Sequence, residues 1–262
     1  MKPVALTVAG SDSGGGAGIQ ADLKTMESLG VFGTSAITAI TAQNTRGVDR
    51  VDVLSQEMVY AQIKSVATDF SVRAAKTGML GNAAIIETVA RAIDDFSLVH
   101  LVVDTVMVSK SGHRLLESDA ELMLKKVLLA RAYLITPNLP EAEALLGIKI
   151  TSLKEMKEAA HSLFAFGPKH VLIKGGHLAT PNASDVFFDG KKITVLDAVR
   201  IDTTSTHGTG CTLSAAIAAY LAKGYPVLDA CRKAKEYLTQ ALLNAQPLGH
   251  GHGPVNHFWK QV

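Results

Sequence analysis

The string THGTGC (206–211) runs directly into a mostly apolar stretch at 212–221. Glycines ahead of a helix leave its first N–H groups and the positive end of its dipole facing outward, which suits an anion such as a transferring phosphoryl group. Gly208, Thr209 and Gly210 supply that turn. At such a terminus the Cys211 thiol is expected to have a lowered pKa; the alternative is a small buried residue at a helix start, as free Cys often is. Glycines on both sides favour the functional reading. Lys174 ends the apolar run Val171, Leu172, Ile173 and precedes Gly175 and Gly176, a placement suited to a point charge for phosphate. Asp104 ends the run Leu101, Val102, Val103, where a carboxylate needs a partner or a metal. Asn138 and Glu141 follow an apolar stretch at 132–136. Glu141 either orients Mg²⁺, which takes few protein ligands besides phosphates and water, or complements the dipole of a helix that begins there; spacing leaves both open.

The loop AGSDSGGGAGIQAD (9–22) carries four glycines in five positions. No Gly-Lys-Ser/Thr follows, so it is not a P-loop. Gly16, Gly18 and Ala21 satisfy the loose dinucleotide pattern, but that fingerprint wants an acidic residue about 20 positions on, and 37–45 holds none. The nicotinamide reading is thereby weakened, and close approach of the backbone to a ligand is favoured over a plain turn. At the other end, His250, His252 and His257 among glycines suggest a metal, but the spacing matches no zinc pattern and a flexible solvated tail is favoured.

These residues need elements to position them. Short apolar runs of strand type alternate with stretches of helical period. Strands are expected at 4–9, 35–41, 74–77, 98–104, 132–136 and 170–174. Helices are expected at 18–29, 56–68, 83–93, 122–129, 140–146, 152–166, 209–223 and 227–244. Ser152 with Glu155 is a capping box, and Asp189-Gly190 joins 185–188 to 192–196 as a hairpin. The alternation predicts an α/β fold with a mainly parallel sheet covered on both faces. Ligands then bind at the carboxyl ends of the strands, and seven polar or glycine-bearing loops fall there. No repeat or linker divides the chain, so 1–262 is expected to be a single domain.

The chain of 262 residues is 47% hydrophobic and 19% charged, which allows a sizeable core and excludes wholesale disorder. Its 26 basic and 24 acidic side chains leave a formal charge of +2, without the basic stripe of a nucleic-acid binder. Cys211 and Cys231 form no disulfide framework. The N-terminus lacks the form of a secretory signal, and no stretch reaches the roughly 18 apolar residues of a membrane span. A soluble cytoplasmic protein is the expectation.

Taken together, AGSDSGGGAGIQADLKT (9–25), TAQNTRGV (41–48), KTGML (76–80), VVDTVMVSKSG (102–112), TPNLPEAEALLG (136–147), VLIKGGH (171–177) and THGTGCTLSAAIAAYLAKG (206–224) resemble the hydroxymethylpyrimidine/phosphomethylpyrimidine kinases of the ribokinase superfamily. The resemblance runs from about residue 5 to 257. It implies a ribokinase-like fold, ATP with Mg²⁺ as donor, the pyrimidine alcohol and then its monophosphate as acceptors in thiamin biosynthesis, and a homodimer. Gln43 matches the residue that binds the aminopyrimidine, while Gly10, Asp22, Met79 and Val106 match positions lining its pocket. Asn138 and Glu141 match the Mg²⁺/phosphate element; Asp104, from its strand-end position, is taken as a further metal ligand. Lys174 matches a basic residue near the ATP phosphates, and Thr209, Gly210 and Cys211 the anion hole. Cys211 stands where most sugar kinases of the superfamily have an Asp base, and Thr105 where many relatives have Pro.

On this reading Cys211 is a candidate base for the alcohol, while the phosphate acceptor needs only the positive charge of Mg²⁺, Lys174 and the N–H groups near Gly210. Pyridoxine/pyridoxal kinase is the nearest rival, opposed by Ala42, Gln43, Asn44 and Thr45. A non-catalytic pyrimidine- or nucleotide-binding regulator would not need Lys174, Glu141 and the Cys211 turn together.

Overall fold

The computed structural model describes residues 1–107, 118–178 and 181–259. The strands are β1 (Val4–Asp12), β2 (Phe32–Gln43), β3 (Val48–Val53), β4 (Val72–Thr77), β5 (Leu101–Val103), β6 (Leu134–Ile135), β7 (Val171–Ile173), β8 (Asp185–Phe188) and β9 (Ile193–Leu196). They form one sheet in the order β3-β2-β1-β4-β5-β6-β7-β8-β9. From β2 to β7 all neighbours are parallel; β3 and the β8–β9 hairpin are antiparallel edges. The alternation of apolar runs thus yields the parallel centre it implies, and Asp189-Gly190 turns the hairpin with Gly190 at φ +87.

The helices are α1 (Gly18–Ser28), α2 (Gln56–Asp69), α3 (Ala83–Asp95), α4 (Ser118–Met123), α5 (Leu139–Leu146), α6 (Leu153–Phe164), α7 (Thr209–Ala222) and α8 (Val227–Leu243). One face of the sheet buries Val59 and Ile63 of α2, Ile85 and Val89 of α3, Ala142 of α5 and Met156 of α6. The other buries Met26 of α1, a nearly continuous run of α7, and Cys231 and Ala234 of α8. Helix α7 is buried almost all round from Thr212 to Ala222, as expected of a segment without a polar stripe. Its alanines let the backbone lie close to the sheet, so its N-terminus is rigidly placed.

Three local expectations change. β3 falls where no strand was expected, because its sequence VDRVDV is a half-exposed edge with charges interleaved. The helix expected at 122–129 is a helix from Ser118 that widens into a π turn over Leu124–Leu128 and ends in a 3₁₀ turn. β1 and β2 run further than their apolar cores, carrying Asp12 and Gln43 on their last residues. Among the described residues no helix is long and apolar enough to cross a membrane.

Candidate active site

Several strand ends and the starts of α5 and α7 meet at the carboxyl edge of the sheet. Lys174 follows β7, and its Nζ donates to Asp104 Oδ1, just past β5, at 2.9 Å. Asp104 also accepts from Thr136 Oγ1 at 3.3 Å and Ser214 Oγ at 3.1 Å. A Cβ on Gly210 would lie 3.6 Å from Lys174 Nζ and 3.7 Å from Asp104 Oδ2, so this pair borders the first turn of α7. The N–H groups of Gly210 and Cys211 have no acceptor among the described residues, as the first N–H groups of a helix do not.

Asn138 and Glu141 open α5 as a capping box. Asn138 Oδ1 accepts the Glu141 N–H at 2.9 Å, and Glu141 Oε2 accepts the Asn138 N–H at 2.8 Å. Thr105 Oγ1 donates to the same Oε2 at 2.9 Å, which leaves Oε1 without a hydrogen bond among the described residues. The helix-start reading of Glu141 is therefore real, and it leaves one carboxylate oxygen for another task. Burial pushes the Glu141 carboxyl above the usual range although Lys174 opposes it. Burial acts the same way on Asp104, but Lys174 and Lys76 outweigh it and hold that carboxyl low. Burial disfavours the Lys174 ammonium, yet Asp104 and Glu141 raise its pKa.

Cys211 departs from expectation. Its thiol is pushed up to about 11, chiefly by burial, with Lys76 opposing and Asp22 and Asp104 adding to the rise. The helix terminus does not overcome burial beside two carboxylates, so the resting thiol is protonated near neutral pH. Cys231 lies buried in the α8 core, as its sequence context suggests.

The residues that the resemblance matches to a ring pocket lie at and after β1, β2 and β4. Gly10 N donates to Met79 O at 3.1 Å, and a Cβ on Gly10 would meet Met79 Sδ at 3.2 Å. Val106 lines a small cavity of about 10 Å³ together with Thr77, Gly78 and Asp104. Asp22 is fully buried, accepting from Thr7 Oγ1 at 2.6 Å and Lys76 Nζ at 2.8 Å and 2.9 Å. Its carboxylate faces a lysine beneath the site and has no surface to offer a ligand, a correction to its expected place in the pocket lining. Burial pushes its carboxyl up despite Lys76. Gln43, half-buried, sits beside a cleft of about 440 Å³ lined in part by Gly14, Asn44, Thr45 and Arg46.

The first glycine loop is also corrected. Asp12 fills it: Oδ1 accepts from Gly14 N at 2.8 Å, and Oδ2 from Gly16 N at 3.1 Å and Ala17 N at 2.7 Å. Gly16 and Gly18 pack against protein, while Gly14 also lines the cleft beside Gln43. A Cβ on Gly16 would stand 2.5 Å from His207 Cδ2, and one on Gly208, at φ +76, would strike the Gly16 carbonyl. The two glycine turns are therefore packed against each other. Asp12 and His207, joined at 2.8 Å, escaped the sequence reading. An Asp just before a glycine run was the available signal, since Asp side chains cap the N–H groups that follow them.

The histidine-bearing tail is no flexible appendage. His252 N donates to Thr45 O, His207 N to Gly253 O and Asn256 N to Ala241 O. His257 is 5% exposed, its ring bonded to Thr212 Oγ1 at 3.1 Å, and burial lowers its pKa to about 4. Glycines there let the chain lie flat on Thr45, where a side chain on Gly251 would collide with its carbonyl. Among the described residues no three His, Cys, Asp or Glu side chains gather for a metal.

A parallel sheet with a bare helix N-terminus, a half-buried lysine and two carboxylates at its carboxyl edge is the arrangement of a ribokinase-like small-molecule kinase. Comparison with known proteins narrows this. The model of the phosphomethylpyrimidine kinase family matches residues 12–256, and the chain belongs to that family. It is 50% identical to the hydroxymethylpyrimidine/phosphomethylpyrimidine kinase of Bacillus subtilis over 255 residues, 97% of this chain and 94% of the relative. Among solved structures it resembles the ADP complex of Bacillus subtilis pyridoxal kinase (TM-score 0.92, 39% identity, 100% of this chain and 99% of that one). It also resembles phosphomethylpyrimidine kinase from Clostridium difficile 630 (TM-score 0.82, 45% identity, 92% and 99%).

Proposed function

We propose that the chain transfers the γ-phosphoryl group of ATP to the hydroxymethyl oxygen of 4-amino-5-hydroxymethyl-2-methylpyrimidine, and then to the phosphate of the product. The observation that carries this is the open first turn of α7, bordered by Lys174 and Asp104 and joined through His207 to the end of β2 where Gln43 stands. Lys174, Thr209 and the N–H groups of Gly210 and Cys211 hold the phosphoryl oxygens as charge spreads over them. Gly208 sets the turn. Asp104 orients Lys174. Gln43 binds the ring edge, and Gly10, Met79 and Val106 line the ring pocket.

The residues fit Mg²⁺. It favours one or two carboxylates with phosphates and water; Glu141 Oε1 is left without a hydrogen bond among the described residues, and Asp104 is near enough to act on the Glu141 carboxyl. When bound, Mg²⁺ neutralises phosphate charge. In the first transfer an O–P bond forms at the alcohol, the bond to ADP breaks, and the hydroxyl proton passes to an oxygen of the transferred phosphoryl group and on to solvent. A loose transition state asks little of a base, which suits a Cys211 thiol that is protonated at rest; Cys211 then contributes its N–H to both transfers. Pyridoxal is a second reading, supported by the likeness to the Bacillus subtilis pyridoxal kinase. A homodimer belongs to the same proposal, with sedimentation at twice the chain mass as its check.

A product assay with ATP, Mg²⁺ and either the pyrimidine alcohol or pyridoxal tests the reading. Monophosphate followed by diphosphate of the pyrimidine is expected. Turnover of pyridoxal alone would replace the reading with the second one.

A further inference from the structure

We infer that Asp12 and His207 fix the direction of the Gln43 amide, and so select a ring that carries an amino group beside a ring nitrogen over its oxo counterpart. The inference rests on Gln43 as the residue that reads the ring. It deepens that reading by assigning two positioning residues and a rule of specificity.

Asp12 is 2% exposed and receives three backbone N–H groups besides the His207 ring. His207 and those N–H groups together outweigh its burial and hold its carboxyl below the usual range. An ionised carboxylate only accepts hydrogen bonds, so the proton in the 2.8 Å contact must ride on His207 Nε2. A ring nitrogen that carries a proton has no lone pair to offer. Gln43 approaches the same Nε2 at 3.4 Å with its Nε2 end, which would set two donors face to face.

At the other end of the amide, Thr41 Oγ1 donates to Ser11 O at 2.7 Å and lies 3.2 Å from Gln43 Oε1. A hydroxyl has one proton, and the shorter contact takes it. Thr41 Oγ1 is then an acceptor facing an acceptor. Amide oxygen and nitrogen are assigned from such networks. Turning the Gln43 amide by half a revolution repairs both ends. Its oxygen then shares the His207 proton, and its nitrogen donates to Thr41.

With its oxygen toward His207 and its nitrogen toward Thr41, Gln43 presents an ordered acceptor–donor edge. An aminopyrimidine fits by giving an amino hydrogen to the oxygen and taking an amide hydrogen on the adjacent ring nitrogen. The amino group then lies on the His207 side. Its neighbouring hydroxymethyl group therefore points along the chain from His207 to Gly208 and Gly210, where the phosphoryl group arrives. An oxo ring, with a carbonyl and a ring N–H in those places, needs the amide reversed and meets both clashes.

The test compares kcat/KM for 4-amino- and 4-oxo-5-hydroxymethyl-2-methylpyrimidine at saturating MgATP. The His207→Ala chain is expected to narrow the amino-over-oxo preference about tenfold or more, with Thr41→Val acting in the same direction. A preference unchanged in His207→Ala, with both rates merely lowered, would overturn the inference. Gln43→Ala separates it from its premise. Preference lost in Gln43→Ala but kept in His207→Ala removes only the positioning role. Preference kept in Gln43→Ala removes the ring-reading role and this inference with it. If His207→Ala does not fold, ¹⁵N spectra of the histidine-labelled wild-type chain near neutral pH decide the matter: a proton on His207 Nε2 supports the inference, and a bare Nε2 overturns it.

Discussion

Two glycine turns, 14–18 and 208–210, lie in contact and look alike in sequence, yet they do opposite things. The first is closed by its own carboxylate, since Asp12 accepts three of its N–H groups. The second faces Lys174 and Asp104 with the Gly210 and Cys211 N–H groups unbonded among the described residues. A glycine-rich turn before a helix is free to take an outside anion only where the chain brings none of its own. The first loop acts as a buttress, against which the second is held by the Gly16–Gly208 contact and the Asp12–His207 pair.

Substitutions divide the two roles. Lys174→Met should have the largest effect on turnover, about a thousandfold or more in kcat, because the charge facing the phosphoryl oxygens is gone. It should also lower stability by about 3–5 kcal/mol, since Asp104 is left buried and unpaired; steady-state rates and a urea titration read the two. Gly210→Ala should fold normally, as its Cβ meets ordinary contact distances of 3.6 Å and 3.7 Å, yet cut kcat about a hundredfold by crowding the anion position. Gly16→Ala should do the reverse, losing stability first, because its Cβ collides with His207. A Gly16→Ala chain with a wild-type melting temperature would break the comparison.

Asp12→Asn weakens the acceptor for three N–H groups and should cost about 1–3 kcal/mol at neutral pH. The folded pKa of Asp12 is depressed, so its contribution is full above the unfolded value of about 3.9 and lost as pH falls through the lower folded value. The stability gap between wild type and Asp12→Asn should accordingly close on acidification below about pH 4. The smallest effect belongs to Cys211→Ser. With a thiol pushed up to about 11, both phosphorylations should slow by similar factors, about tenfold or less. The first should show no rise with pH between about 7 and 9. A tenfold rise per pH unit, confined to the alcohol acceptor and abolished in Cys211→Ser, would restore Cys211 as its base.

Much of this was legible in the sequence because it depends on local pattern. Apolar runs ending in Asp104 and Lys174 mark strand ends, and the capping residues Asn138 and Ser152 mark helix starts; the structure brings Lys174, Asp104, Glu141 and Gly210 together as that pattern implies. What the sequence hid depends on contacts across long separations. The resemblance puts Asp22 in the pocket lining, but its partner Lys76 lies in β4. The Cys211 thiol was judged from its helix terminus, while its pKa is set by burial and by Asp22 and Asp104 from other elements. The tail reads as solvated because glycines are ambiguous alone, and its order comes from Thr45, Ala241 and Thr212. β3 escaped because an edge strand need not alternate cleanly.

The contrast between a filled turn and an open one can be seen directly in backbone amide signals. In ¹H–¹⁵N spectra of the full chain, adding MgATP should shift the Gly210 and Cys211 amides and slow their exchange with solvent. The Gly14, Gly16 and Ala17 amides should be protected before addition and stay so. Nucleotide-dependent protection of Gly14, Gly16 and Ala17, with Gly210 and Cys211 unmoved, would contradict the assignment of the phosphoryl site to the start of α7.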